Sequence, residues 1–319
     1  MARLSESPSW AIRKTWRIHE KIIQTGLLLS ACLSILTTAG IVGVLLVNAV
    51  SSPGESTAFF EDVSISEFLF GTDWNPVEGE SARFGILPLI CGTMHVAVIS
   101  SLISVPAGLG AAIYMSEYAG PRERAFLKPV LELLAGIPTV VYGFFALRFV
   151  TPWLLQPFFE LFGIHIGPYN VLSGGIVVGV MVTPLVASLS EDVIRAVPRT
   201  LREAAYALGS TKLDVSMRVV VPAALSGILA AFLLAFSRAI GETMAVTIAC
   251  GNTVQVTANP LGSVMTMTGA MVLQSSGDTS LDSVSYKSIY AIGLALFSMT
   301  LVIYVISGWI MRRFREVYQ

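Results

Sequence analysis

Arg238 and Glu242 stand four residues apart in the stretch FSRAIGETMAV, residues 236–246, inside an apolar run long enough to cross a bilayer. On a continuous helix, residues at that spacing share a face. Counting from Leu225 at about 1.5 Å per residue puts Arg238 roughly 20 Å along the span, within the hydrocarbon layer. An arginine there costs about 2.5–3.5 kcal/mol on insertion scales, so an ionisable residue in a span marks a functional site by default. Two readings follow. The two charges neutralise each other and relieve burial, or they line the path of an anion. A glutamate on the C-terminal side of its cation is the weaker helical pairing, and an idle buried ion pair is readily replaced by apolar packing. On the second reading the arginine offers planar donors to an oxyanion. The carboxylate then orients that arginine or accepts a proton, which favours an oxyanion that keeps a hydroxyl over one that is fully ionised.

The chain that must hold this pair has 319 residues, 54% hydrophobic and only 13% charged. Such a composition predicts a polytopic membrane protein. Its net charge of −1 gives no attraction to nucleic acid. Cys32, Cys91 and Cys250 form no C-x-x-C pair, and His19, His95 and His165 are far apart, so no metal site is expected. Six apolar runs approach the length of about 20 residues that a spanning helix needs: Ile22 to Ala49, Gly92 to Met115, Val130 to Leu155, Leu172 to Leu189, Val219 to Ala249 and Ile289 to Met311. The fifth is too long for one straight crossing and must tilt, break or project. The first exceeds the apolar core of a secretory signal and is read as a retained helix.

Charge bias orients the spans. The tail, residues 1–21, carries Arg3, Arg13, Lys14, Arg17 and Lys21. After the first span, residues 22–50, the segment 51–83 holds seven acidic residues against Arg83. Residues 84–311 form the core with five spans, and residues 312–319 a basic tail. Both termini are expected on the cytoplasmic side, and the acidic segment outside as a solvated loop.

Between the fourth and fifth spans, residues 190–222 include PRTLREAAYALGSTKLDVSMRVVVP. Thr200 and Glu203 read as a capping box opening a short helix from Leu201 to Leu208, which Gly209 ends in the left-handed conformation. Thr211 and Asp214 offer a second helix start. On local physics this is an amphipathic connection, and its spacing resembles the EAA loop of ABC importer permeases. That resemblance implies a coupling helix docked on a cytoplasmic ATPase. Glu203 is its contact to a basic residue, Ala204 and Ala205 allow close approach, and Gly209 makes the turn. The chain has no P-loop of its own, so it is not expected to be an enzyme, and no cofactor is expected on it. ATP and Mg would sit on the partner.

RAIGETMAV (Arg238 to Val246), EAAYALG (Glu203 to Gly209), ELLAGIPTVVYGFFAL (Glu132 to Leu147) and FGTDWNP (Phe70 to Pro76) together resemble the PstC-type permeases of bacterial phosphate ABC importers. The resemblance implies an all-α, six-span fold of the type I importer (MetI-like) class in the cytoplasmic membrane. It also implies a heterodimer with a PstA-type permease, a PstB-type ATPase dimer and a PstS-type phosphate-binding protein outside. Arg238 and Glu242 would then lie on the substrate path. Arg148 and Glu132 are possible secondary residues. Arg148 either draws in the anion or snorkels to the interface. Glu132 is expected to pair with a loop base or to cap backbone donors, with a gating role also open. Pro138 can break its helix. Permeases for sulfate or molybdate, a secondary transporter or channel without an ATPase, and a phosphate-status signalling partner remain open alternatives.

Overall fold

The computed structural model describes residues 16–51, 58–76, 82–277, 280 and 282–313. The expected basic residues Arg3, Arg13, Lys14 and Arg315, and the acidic Glu55, Glu78 and Glu80, lie outside them.

The chain is almost wholly helical. Helix α1 (Trp16–Val50) is followed by two short helices, α2 (Phe59–Asp62) and α3 (Ile65–Phe70), and by two-residue strands β1 (Trp74–Asn75) and β2 (Arg83–Phe84). The strands pair antiparallel, with Trp74 opposite Phe84. Then come α4 (Leu87–Ile113), α5 (Pro121–Ala135), α6 (Thr139–Phe145), α7 (Gln156–Glu160), α8 (Val171–Ala196), α9 (Arg199–Ala207) and α10 (Lys212–Val215). The chain ends in α11 (Val221–Ala223), α12 (Leu225–Ile240), α13 (Met244–Cys250), α14 (Met267–Ser276) and α15 (Val284–Arg313). π-Helical turns continue α4 through Tyr118 and join α6 to α7 and α10 to α11.

Among the described residues four helices, Glu20–Val50, Leu87–Tyr118, Val171–Ala196 and Val284–Trp309, are long and apolar enough to cross a membrane. Two bent pairs raise the number to six if each counts as one span. Both bends fall in the third and fifth apolar runs. The chain turns by 87° between Ala135 and Thr139, where Pro138 cannot continue the helix, and by 72° at Ala224. Residues 130–135 therefore belong to α5, and the third run is not one straight helix.

Helices α4 and α8 form the most extensive packing in the bundle. Glycines allow it: a Cβ on Gly108 would stand 2.6 Å from Val186 Cβ, and one on Gly179 would stand 2.9 Å from both Ile103 Cβ and the Ser100 carbonyl. Without water to drive association, such close backbone approach is how helices hold together in lipid. Around this pair, Val96, Tyr142, Val178, Met181, Ala235 and Val246 join α4, α6, α8, α12 and α13 in one core. By contrast, the apolar window of α1 is entirely exposed, as for a lipid-facing helix, and α1 leans on α15.

The acidic segment after α1 does not form the solvated loop its charges suggest. Its described part folds into a cap in which Phe59, Phe68, Trp74 and Phe84 are buried with Ile86, Leu89, Met267 and Ile292. Edge-to-face ring pairs, Phe59 with Phe68 at 5.5 Å and Trp74 with Phe84 at 5.8 Å, fix it. The FGTDWNP stretch supplies the first strand of this cap.

Candidate functional site

The short helix α9 lies at the end of the bundle opposite the cap. It opens at Arg199, one residue after Pro198, and no side chain caps it. The expected Thr200–Glu203 capping box is therefore absent: Pro198 takes the N-cap position with an extended ψ of 139° and Arg199 opens the helix, so Thr200 is already inside it. The far end is as expected. Gly209 has φ +82°, and its amide donates to the Tyr206 carbonyl at 2.9 Å. Thr211 caps α10, its hydroxyl accepting from the Asp214 amide at 3.2 Å.

Glu203 and Ala204 are exposed on α9, while Ala205 is buried among Ile194, Val197, Val215 and Val220. Of the two alanines, only Ala204 is exposed; Ala205 seats the helix on its own chain. The residue that fixes α9 was not among those singled out from sequence. Arg202 donates to the Val197 carbonyl at 2.6 Å, to the Ile194 carbonyl at 2.8 Å, and to Glu117 Oε1 at 3.1 Å. It thus ties α9 to the ends of both α8 and α4. A basic residue on the inward side of a short amphipathic helix was its only signal.

Arg238 and Glu242 do not share a helical face. Helix α12 ends at Ile240, residues 241–243 are unwound, and α13 starts at Met244. Gly241 and the β-branched Thr243 both disfavour helix. Glu242 Oε1 accepts from the Ala245 amide at 3.3 Å, satisfying a donor at the start of α13. The Glu242 carbonyl accepts from Thr268 Oγ1 at 2.8 Å, anchoring the break to α14. Among the described residues Arg238 forms no ion pair, so the two charges do not neutralise one another. Unwound backbone at membrane depth is tolerated where it lines a cavity or is buried in protein.

Arg238 instead opens on a cavity of about 230 Å³ between the end of α4, α5, α8 and α12. Its polar lining is Lys128, Glu132, Ser188, Glu191 and Arg238. Glu132 is exposed and has no ion-pair partner among the described residues, contrary to the expectation of a loop base beside it. Those bases are taken by α8: Arg124 reaches the fully buried Glu191 at 2.6 Å, and Lys128 reaches Glu191 at 3.2 Å and Asp192 at 3.1 Å. Arg195 adds a third cation to Glu191 at 3.6 Å. Arg148 lies exposed on the π-helical stretch between α6 and α7, outside this cavity. The structure thus brings Arg238 and Glu132 to one cavity, sets Glu242 at the neighbouring helix break, and leaves Arg148 apart.

Residues 104–316 match the model of a family described as the inner membrane component of binding-protein-dependent transport systems. The chain belongs to that family. The probable ABC transporter permease YqgH of Bacillus subtilis is 33% identical to this permease over 287 residues, 90% of each chain. The phosphate transport system permease PstC of Xylella fastidiosa is 34% identical over 77% of this chain and 78% of its own, and that of Haemophilus influenzae 30% identical over 95% and 96%. A bacterial alginate ABC transporter chain superposes with a TM-score of 0.60 at 13% identity, covering 95% of the permease and 100% of that chain. The MetNI methionine transporter gives 0.52 at 14% identity, over 73% and 95%. These two likenesses concern the fold, which is that of type I ABC importer permeases. The permease is thus a multi-pass membrane protein whose family role is a passage and not a catalytic centre.

Proposed function

We propose that the chain is the permease subunit of an ATP-driven importer of inorganic phosphate, supplying half of the translocation path and one coupling helix. The observation that carries this is Arg238: a cation without an ion pair among the described residues, on a cavity that also holds a carboxylate, in a chain whose relatives include phosphate transport permeases. Its partners on this reading are a homologous PstA-type permease, a PstB-type ATPase dimer holding ATP and Mg, and a PstS-type phosphate-binding protein docked over the cap. Both termini and α9 face the cytoplasm of a bacterial cell, as the arginine and lysine bias requires.

The coupling follows from the bonds of α9. Glu203 and Ala204 present the exposed face to the ATPase, and closure of the ATPase dimer displaces the helix. Arg202 passes the displacement to the ends of α4 and α8 at once. Because those two helices are locked at Gly108 and Gly179, they move as one body against α5 and α12. The path opens outward, phosphate leaves the binding protein, and Arg238 replaces part of its hydration with guanidinium donors. Glu242 holds the helix break that follows Arg238 at the end of α12. Resetting releases the anion inward.

The test is uptake by proteoliposomes containing the full complex, with phosphate, sulfate and molybdate offered in turn. ATP-dependent accumulation of phosphate alone is expected. Accumulation of sulfate or molybdate instead, or phosphate movement without the ATPase, would refute the reading.

A further inference from the structure

We propose that the cavity below Arg238 is a second oxyanion subsite on the cytoplasmic half of the path, with Lys128 as its cation and Glu191 as the group that closes it when it is empty. The inference rests on the transport reading above and adds a residue to it.

A buried carboxylate left without a counter-charge is costly, and Glu191, with a fully buried side chain, is provided with three cations. Arg124, at 2.6 Å, is the nearest, and Arg195 sits one helical turn away on the same element. Either suffices to keep Glu191 compensated if Lys128 departs. Asp192, the other partner of Lys128, has a side chain 58% exposed, so water takes over its charge at little cost. Of the three cations on Glu191, Lys128 is the one that lines the cavity, and it is therefore the one placed to be lent to a passing anion. Its Nζ sits on four flexible methylenes in the same cavity as Arg238, and Ser188 adds a hydroxyl to the lining.

An anion moving from Arg238 to Lys128 takes the place of the Glu191 and Asp192 carboxylates. The exchange loosens the only two ion pairs that Lys128 makes between α5 and α8 among the described residues. Helix α8 runs directly into the segment that Arg202 binds, so this loosening is coupled to the position of α9. Once the anion leaves, Lys128 returns to the carboxylates and the passage is closed by its own charges.

The test compares Lys128→Gln, Lys128→Arg and Asp192→Asn in the full complex in proteoliposomes. Phosphate uptake, ATP hydrolysis stimulated by the binding protein, and complex assembly are followed together. Loss of one charge-assisted contact predicts that Lys128→Gln lowers uptake about tenfold or more while assembly and stimulated hydrolysis persist. Lys128→Arg is expected to restore most of the uptake. Asp192→Asn, which removes part of the clasp but keeps the cation, is expected to transport at or above the wild-type rate. Uptake by Lys128→Gln at the wild-type rate overturns the subsite. So does an Asp192→Asn defect equal to that of Lys128→Gln, or loss of assembly along with uptake, because either shows that only the clasp matters. If the wild-type complex moves sulfate and not phosphate, the phosphate reading fails while the subsite is judged by the same variants with sulfate.

Discussion

Arg202 Nη2 stands 3.1 Å from Glu117 Oε1, joining α9 to the end of α4 across 85 residues of chain. Both side chains are largely buried, at 16% and 6% exposure, and the same guanidinium holds the last carbonyls of α8. One residue therefore ties α9 to the ends of two spans. Replacing Arg202 by Ala removes charge-assisted hydrogen bonds of about 1.5–3 kcal/mol each and leaves Glu117 without its partner. The expected outcome is a complex that still assembles and hydrolyses ATP but takes up little phosphate per ATP. A wild-type ratio of phosphate moved to ATP hydrolysed would show that the motion travels elsewhere.

Gly209 gives a second, smaller effect of the same kind. Its φ of +82° lies where an L side chain is strained, yet nothing stands within 4 Å of an added Cβ. Gly209→Ala therefore acts through the backbone alone, at about 1–2 kcal/mol. It should loosen the end of α9 and weaken retention of the ATPase during purification of the complex. Unchanged retention at low complex concentration would contradict this.

The legible part of the architecture was local. Four of the six apolar runs hold single helices long enough to span and the third and fifth fall in bent pairs, a break being one of the outcomes the excess length of the fifth allows, and Pro138, Gly209 and the Thr211 cap act where short-range chemistry places them. The Thr200–Glu203 box failed because Arg199 opens the helix first. The shared face of Arg238 and Glu242 failed because Gly241 and Thr243 unwind the chain between them. The candidate cavity lies beyond local reading: Lys128 and Glu191, 63 residues apart, meet only because α5 packs against α8. Arg202 and Glu117 are hidden for the same reason, since nothing near either residue announces the other.

Glu191 separates structure from transport. Glu191→Gln leaves Arg124, Lys128 and Arg195 facing an amide, and breaking a buried pair in this way costs about 3–5 kcal/mol. A fall in the midpoint of thermal unfolding is expected in detergent. The fall should be nearly independent of salt, since buried pairs are little screened. A salt-sensitive or negligible shift would mean that the carboxylate is reached by water.

The α4–α8 contact has no room to give. Gly108→Ala brings a Cβ to 2.6 Å from Val186 Cβ, and overpacking of this kind costs about 1–3 kcal/mol. The helices should separate slightly and the thermal midpoint fall, and Val186→Gly in the same chain, which removes both the Cβ and the Cγ1 that face the new methyl, should recover part of the loss. Absence of any recovery would place the strain elsewhere.

On the proposed reading Arg238 meets the transported anion. The measurement that bears on it most directly is ATP-dependent phosphate uptake by the full complex carrying Arg238→Gln, with ATP hydrolysis followed in the same vesicles. Loss of uptake while assembly and hydrolysis persist is the predicted result. Uptake at the wild-type rate would contradict it and return the arginine of FSRAIGETMAV to a structural role.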